Sequence, residues 1–276
     1  MELPKVHELD PNLFDRYYGD WTLEERTLRA FLLATHRGMS GWFQEREAAA
    51  NESVRSMNPE TMSGDESFNA FMEDTGIFWT DYWERSASLL IRDAFRIYEV
   101  FLFKSAHRVT RQYGSGLLKY GTEDTWNFPT CVQFYNDYLG LEVVPAKLEA
   151  AKWIRNKLTH LADLNSPSGA AELVAHRQEL GLDVEPTKDE EALGLFHEDS
   201  RWLFGERLRF TPLQTWRILD VIREQANIIG EAVHGYVWDK SKSTLALDNL
   251  AGGILVNPRE NTRKRGDAAY LYVPVP

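Results

Sequence analysis

Apolar residues recur at three- and four-residue steps over long stretches of this chain, the spacing that turns one stripe of a helix towards a core. The clearest stripe is Trp216, Leu219, Ile222, Ala226, Ile229 and Val233. Thr211-Pro212-Leu213-Gln214 precedes it and supplies a cap, a proline at the first helical position and a glutamine to close the capping box. A helix is therefore predicted over 211–238. Leu148, Ala151, Ile154, Leu158 and Leu161 predict a second helix over 145–165, opened by Pro145 and stopped by Ser166-Pro167-Ser168-Gly169. Residues 68–113 read as helix divided near Gly76. The later part is aromatic and apolar around much of its circumference, which predicts a buried central helix. Its run Arg96 to Phe103 has strand propensity, but the helical spacing on both sides decides for helix. Thr22-Leu23-Glu24-Glu25 reads as a capping box opening a helix over 22–55, broken near Gly38 to Gly41. Short helices are expected over 129–139, over 170–180 and near Glu190. The expectation is an all-α fold: a bundle of four to five main helices in one domain, 1–239, with 240–276 as a tail or arm.

Bulk properties narrow the setting. The 276 residues suffice for a sizeable core. Nine tryptophans suggest large aromatic anchors in the core or at an interface. The lone Cys131 rules out an internal disulfide and a cysteine-based zinc cluster. No run approaches the ~18 apolar residues needed to span a bilayer, and the first residues lack a secretory signal, so a cytoplasmic protein is expected. A net charge of −11 argues against indiscriminate nucleic-acid binding, but leaves room for one RNA held in a locally basic pocket.

The chemistry concentrates on the 145–165 helix, which carries Arg155, Asn156 and His160. Asn156 and His160 are an i,i+4 pair roughly 40° apart around the axis. Glu149, Trp153 and Asp163 share their face, and Arg155 lies nearer the edge of the apolar stripe. A permanent cation, a carboxamide and a group titrating near neutrality can together manage acid–base and phosphate chemistry without a metal. Glu99 is the second feature. It is the only ionisable side chain within Ile97 to Phe103 besides Tyr98, and burying a carboxylate there calls for a cation. Arg92 and Arg96 on its own helix are candidates, as is Arg155. No phosphate-binding glycine loop, metalloprotease motif or nucleophile elbow is present, and no two histidines are spaced i,i+4. No cofactor or metal is expected.

The string W-I-R-N-K-L-T-H-L around Arg155 resembles the signature of the HEPN superfamily: an Arg, often followed by Asn, then a His after four to six intervening residues, late in an all-helical bundle. A second, poorer match runs from Arg29 to His36, where Ala30 follows the Arg. Many HEPN proteins are metal-independent endoribonucleases of toxin–antitoxin, defence or RNA-processing systems. The resemblance implies that His160 moves a proton at the ribose 2′-OH or the leaving 5′-oxygen, leaving 2′,3′-cyclic phosphate and 5′-hydroxyl ends. It implies that Arg155 holds the scissile phosphate. Asn156 would orient His160 or bind a phosphate oxygen, and Glu99 would support Arg155. It further implies an RNA substrate, a homodimer with a composite active site, and an antitoxin or regulatory protein as a possible partner. Ala162 departs from the Tyr found there in HEPN proteins paired with nucleotidyltransferases. The alternatives are a non-catalytic HEPN-fold module that binds RNA or protein, and an unrelated helical interaction protein.

Overall fold

Every regular element among the described residues is helical. The computed structural model describes residues 16–57, 64–77, 79–113, 127–160, 167–195 and 209–238. In chain order these hold α1 (Arg16–Met57), α2 (Gly64–Thr75), α3 (Trp79–Tyr113) and α4 (Phe128–Phe134) with a π-helical turn, Tyr135–Leu139. They continue with α5 (Ala146–His160), α6 (Pro167–Glu179), α7 (Lys188–Ala192) and α8 (Pro212–Trp238). The fold class is all-α. Residues 161–165 of the expected 145–165 helix and the expected 240–276 tail lie outside the described residues.

Where local signals govern, the elements match the sequence. The Thr211 box closes in both directions: Thr211 N donates to Gln214 Oε1 at 3.0 Å, and Gln214 N to Thr211 Oγ1 at 3.2 Å. All six members of the α8 stripe are buried. Gly76, at φ +64°, separates α2 from α3 in the left-handed conformation that glycine adopts without steric cost.

Four expectations need correction. Thr22 does not open α1, which begins at Arg16; the Thr22 hydroxyl donates to the Tyr18 carbonyl one turn earlier. Tertiary packing explains the extra turn: Tyr18 and Trp21 are buried against Phe101, with ring centroids 6.1 and 5.9 Å from it. Nor does α1 break at Gly38 or Gly41. A Cβ at either would meet nothing within 4 Å, so each costs only its propensity, about 1 kcal/mol. Third, α3 is not buried all round. Arg92, Arg96, Val100 and Lys104 form an exposed stripe along it, and the last three line a groove with Tyr17, Trp21 and Leu23 of α1. Pro167 to Gly169, expected to be loop, instead belong to α6.

The chain divides into two compact units: Met1–Arg26, Ala94–Ala150 and Asp220–Pro276 form one, and Thr27–Asp93 with Ala151–Leu219 the other. In the first, buried tyrosines tie helices to backbone carbonyls. Tyr98 Oη donates to Val143 O at 2.7 Å and Tyr135 Oη to Leu102 O at 2.8 Å. Burial raises the Tyr98 phenol well above its ordinary pKa and pushes the Cys131 thiol up to about 12, so Cys131 stays a neutral core group.

In the second unit Phe43, Ala50 and Phe71 form an apolar cluster flanked by Trp42, Ile77 and Tyr82. Arg217 of α8 gathers the segment between α6 and α7. It donates to Gly181 O at 2.9 Å, Val184 O at 2.8 Å, and both carboxylate oxygens of Glu190 at 2.7 and 3.0 Å. Those bonds hold the Glu190 carboxyl down to about 2. Beside them, Arg177 pairs with Asp183 at 2.5 Å.

Candidate functional site

α5 forms because its apolar positions recur with the helical period, and Leu148, Ala151, Ile154 and Leu158 are indeed buried. Pro145 stands one residue before the helix, its carbonyl accepting from Glu149 N at 2.9 Å. Arg155 and Asn156 are half-buried in the second unit, and His160 is the last residue of the helix. The His160 side chain falls outside what the structure describes, as do Leu161 and Asp163.

Helix geometry sorts these positions onto two faces. The step of five positions from 155 to 160 turns them about 140° apart, whereas 153 and 160 lie within about 20° of one another. Position 155 follows Leu148 by two turns and so falls within the buried stripe. Its Nε is accordingly shut off from solvent while the residue as a whole stays partly exposed. Asn156, Lys157 and Trp153, all partly exposed, belong to the other side with position 160.

A group that the sequence signal had not assembled stands on that second face. Trp153 Nε1 donates to Glu172 Oε2 of α6 at 3.1 Å. The His176 ring, also on α6, lies 4.7 Å from the Trp153 ring at 42°, and Lys157 holds its ammonium 4.9 Å from the Trp153 ring centroid. An exposed cation–π contact of this kind contributes about 0.5–1 kcal/mol. Lys157 is thus engaged with an indole one turn away. The Trp153–Lys157 spacing of i,i+4 could have signalled this contact; the α6 partners carry no comparable signal.

α5 is also electrostatically distinct. It carries Lys147, Lys152, Arg155 and Lys157 against Glu149 alone, a local excess of three positive charges in a chain of net charge −11. Among the described residues no three His, Cys, Asp or Glu side chains gather closely enough to hold a metal ion. No described helix is long and apolar enough to cross a membrane.

The second Arg–His string has a different environment. Arg29 and His36 are 3% and 4% exposed, and the Arg29 guanidinium lies 4.3 Å from the Trp216 ring centroid. A phosphodiester has no access to such a pair. Glu99 belongs to α3 in the first unit and is half-buried rather than sealed in the core. It stands beside the exposed stripe of that helix, which lowers the cost of its charge. No protein-family model matches this chain, and no curated protein or solved structure matches it either.

Proposed function

We propose that the chain is a HEPN-like, metal-independent endoribonuclease whose site is built on α5. The observation that carries this reading is the local excess of three positive charges on α5, the helix on which Asn156, Lys157 and position 160 adjoin the Trp153–His176 pair. Cations there neutralise phosphates, and aromatic rings accept bases. In this reading His160 takes the proton from a ribose 2′-OH or gives one to the departing 5′-oxygen. Arg155 stabilises the charge that builds on the phosphate through its forked donors. Asn156 orients the imidazole or an equatorial oxygen.

The angle of about 140° between positions 155 and 160 supports a homodimer, in which Arg155 of one copy and His160 of the other converge on one phosphate. A toxin or defence role, an antitoxin-like inhibitor and a cytoplasmic location belong to the same proposal. The buried Nε of Arg155 favours a second reading, a module of the same fold that binds RNA without cutting it.

RNA cleavage in EDTA by the wild type, beside His160→Ala and Arg155→Ala at matched folding, separates the two. Cyclic phosphate ends produced by the wild type and lost in both variants support the enzyme. Binding without cleavage by any of the three supports the module. Activity that survives both substitutions removes α5 from the chemistry.

A further inference from the structure

We infer that Trp153, together with His176 and Lys157, forms a stacking subsite for an unpaired nucleobase of single-stranded RNA, next to the position where the α5 string would meet the backbone. The inference deepens the ribonuclease reading by naming how substrate is recognised, and it rests on that reading for the choice of RNA and for where the cut falls.

The first ground is orientation. A stacking platform must present its ring in a fixed plane, since freezing a mobile indole on binding would consume the gain. The Trp153 indole is fixed at its edge by the 3.1 Å bond to Glu172 and braced by His176 at 4.7 Å. Both partners come from α6, so the ring is set between two helices of the same unit.

The second ground is the placeholder. Lys157 lays its ammonium over the indole 4.9 Å from the centroid. Lysine is a point charge on a flexible stem, and an exposed cation–π contact is weaker than stacking of a base on an aromatic ring. A base arriving at Trp153 can therefore displace the ammonium. The freed Lys157 then follows Asn156 directly and lies about one turn from position 160, within reach of the neighbouring phosphate. The exchange replaces a weak contact with two stronger ones, stacking and charge neutralisation.

The third ground selects the nucleic acid. In a duplex the bases are stacked on each other and their faces are closed, so an indole platform favours single strands and loops. Non-specific binding elsewhere is discouraged by the net charge of −11.

The test is fluorescence anisotropy of a labelled single-stranded RNA oligonucleotide in EDTA, on a His160→Ala background so that turnover does not intervene. Trp153→Ala is expected to weaken binding by about tenfold, a value within the stacking range for one base. Trp153→Phe should recover most of that loss because a ring remains, and a blunt duplex of the same sequence should bind equally to all three. Lys157→Gln should flatten the log–log salt dependence by about 0.7, the increment for one single-strand phosphate. Equal single-strand affinity for Trp153→Ala and its parent overturns the subsite, even if the wild type cleaves RNA. So does an equal loss with Phe and Ala, or failure of the parent to bind RNA at all. Trp153-dependent binding by a wild type that cuts no RNA leaves the subsite standing and removes the ribonuclease.

Discussion

Arg29–His36 and Arg155–His160 spell nearly the same motif, and the fold gives them opposite surroundings. On α1 both residues are almost wholly buried and the guanidinium faces the Trp216 indole. On α5, Arg155 and Asn156 remain partly open, Asn156 on the same side of the helix as Lys157 and Trp153. Spacing along a helix fixes which side chains are neighbours; burial decides whether anything from outside can meet them. Residues buried as deeply as Arg29 and His36 are architecture, since a charge there has to be met by the core around it. Partly exposed residues such as Arg155 and Asn156 cost less to hold and can be reached from solvent.

That contrast can be broken most directly by activity. Arg155→Ala and His160→Ala are each expected to lower RNA cleavage by about 10²–10⁴-fold, the range for removing a proton-transfer or charge-stabilising group. Arg29→Ala should leave cleavage per folded molecule within about twofold of wild type. Loss of cleavage in a fully folded Arg29→Ala protein would move the site to α1. In urea denaturation the order reverses: Arg29→Ala should cost about 3 kcal/mol, in the range for breaking buried charge interactions, and Arg155→Ala less.

The Arg217–Glu190 pair provides a third arrangement, polar, partly buried and structural. Its carboxyl is held near 2, below the ordinary value of 4.5. The folded form therefore has the lower pKa, and the stabilisation is present in full above about 4.5 and fades as pH falls towards 2. It amounts to something on the order of 2 kcal/mol. Glu190→Gln should remove that component, leaving a shallower loss of stability between pH 5 and 2 than the wild type, read by denaturant midpoints across that window. An unchanged acid limb would show that other carboxylates govern it.

The smallest effect is a packing change with no charge in it. A Cβ on Gly230 would stand 2.8 Å from Tyr18 Cε2, and that ring is 4% exposed and bonded through its hydroxyl to Asn227. Overpacking should cost about 1–3 kcal/mol, offset in part by the better helix propensity of alanine. A net loss of about 1 kcal/mol in Gly230→Ala is expected by thermal or urea unfolding. A more stable variant would mean that the Tyr18 ring can give way.

The parts legible in the sequence were those written in local signals. The Thr211 box, the α8 stripe and the Gly76 division each need only a few adjacent residues, and all three form. Thr22 shows where local signals mislead. Its spacing to Glu25 fits a capping box, but Tyr18 and Trp21, packed on a residue some eighty positions away, draw the preceding turn into the helix. The exposed stripe of α3 was concealed by its aromatic composition, because the few polar residues that mark its open side are diluted by Tyr and Phe. At the candidate site, the Arg-Asn pair singled out α5 over α1. The Trp153–His176 contact joins two helices, and only the packing of α6 on α5 brings it about.

Arg217 grips Gly181 and Val184 by their main-chain oxygens, with Leu182 and Glu185 accepting at 3.3 Å. Every residue type offers such an oxygen. The bend between α6 and α7 is therefore indifferent to most side-chain replacements at 182, 184 and 185, so far as its anchorage goes, and intolerant of change at position 217. Lysine there could not substitute, having a single nitrogen where the fork spans several acceptors. Variation permitted along one stretch of the chain is underwritten by a single residue in another.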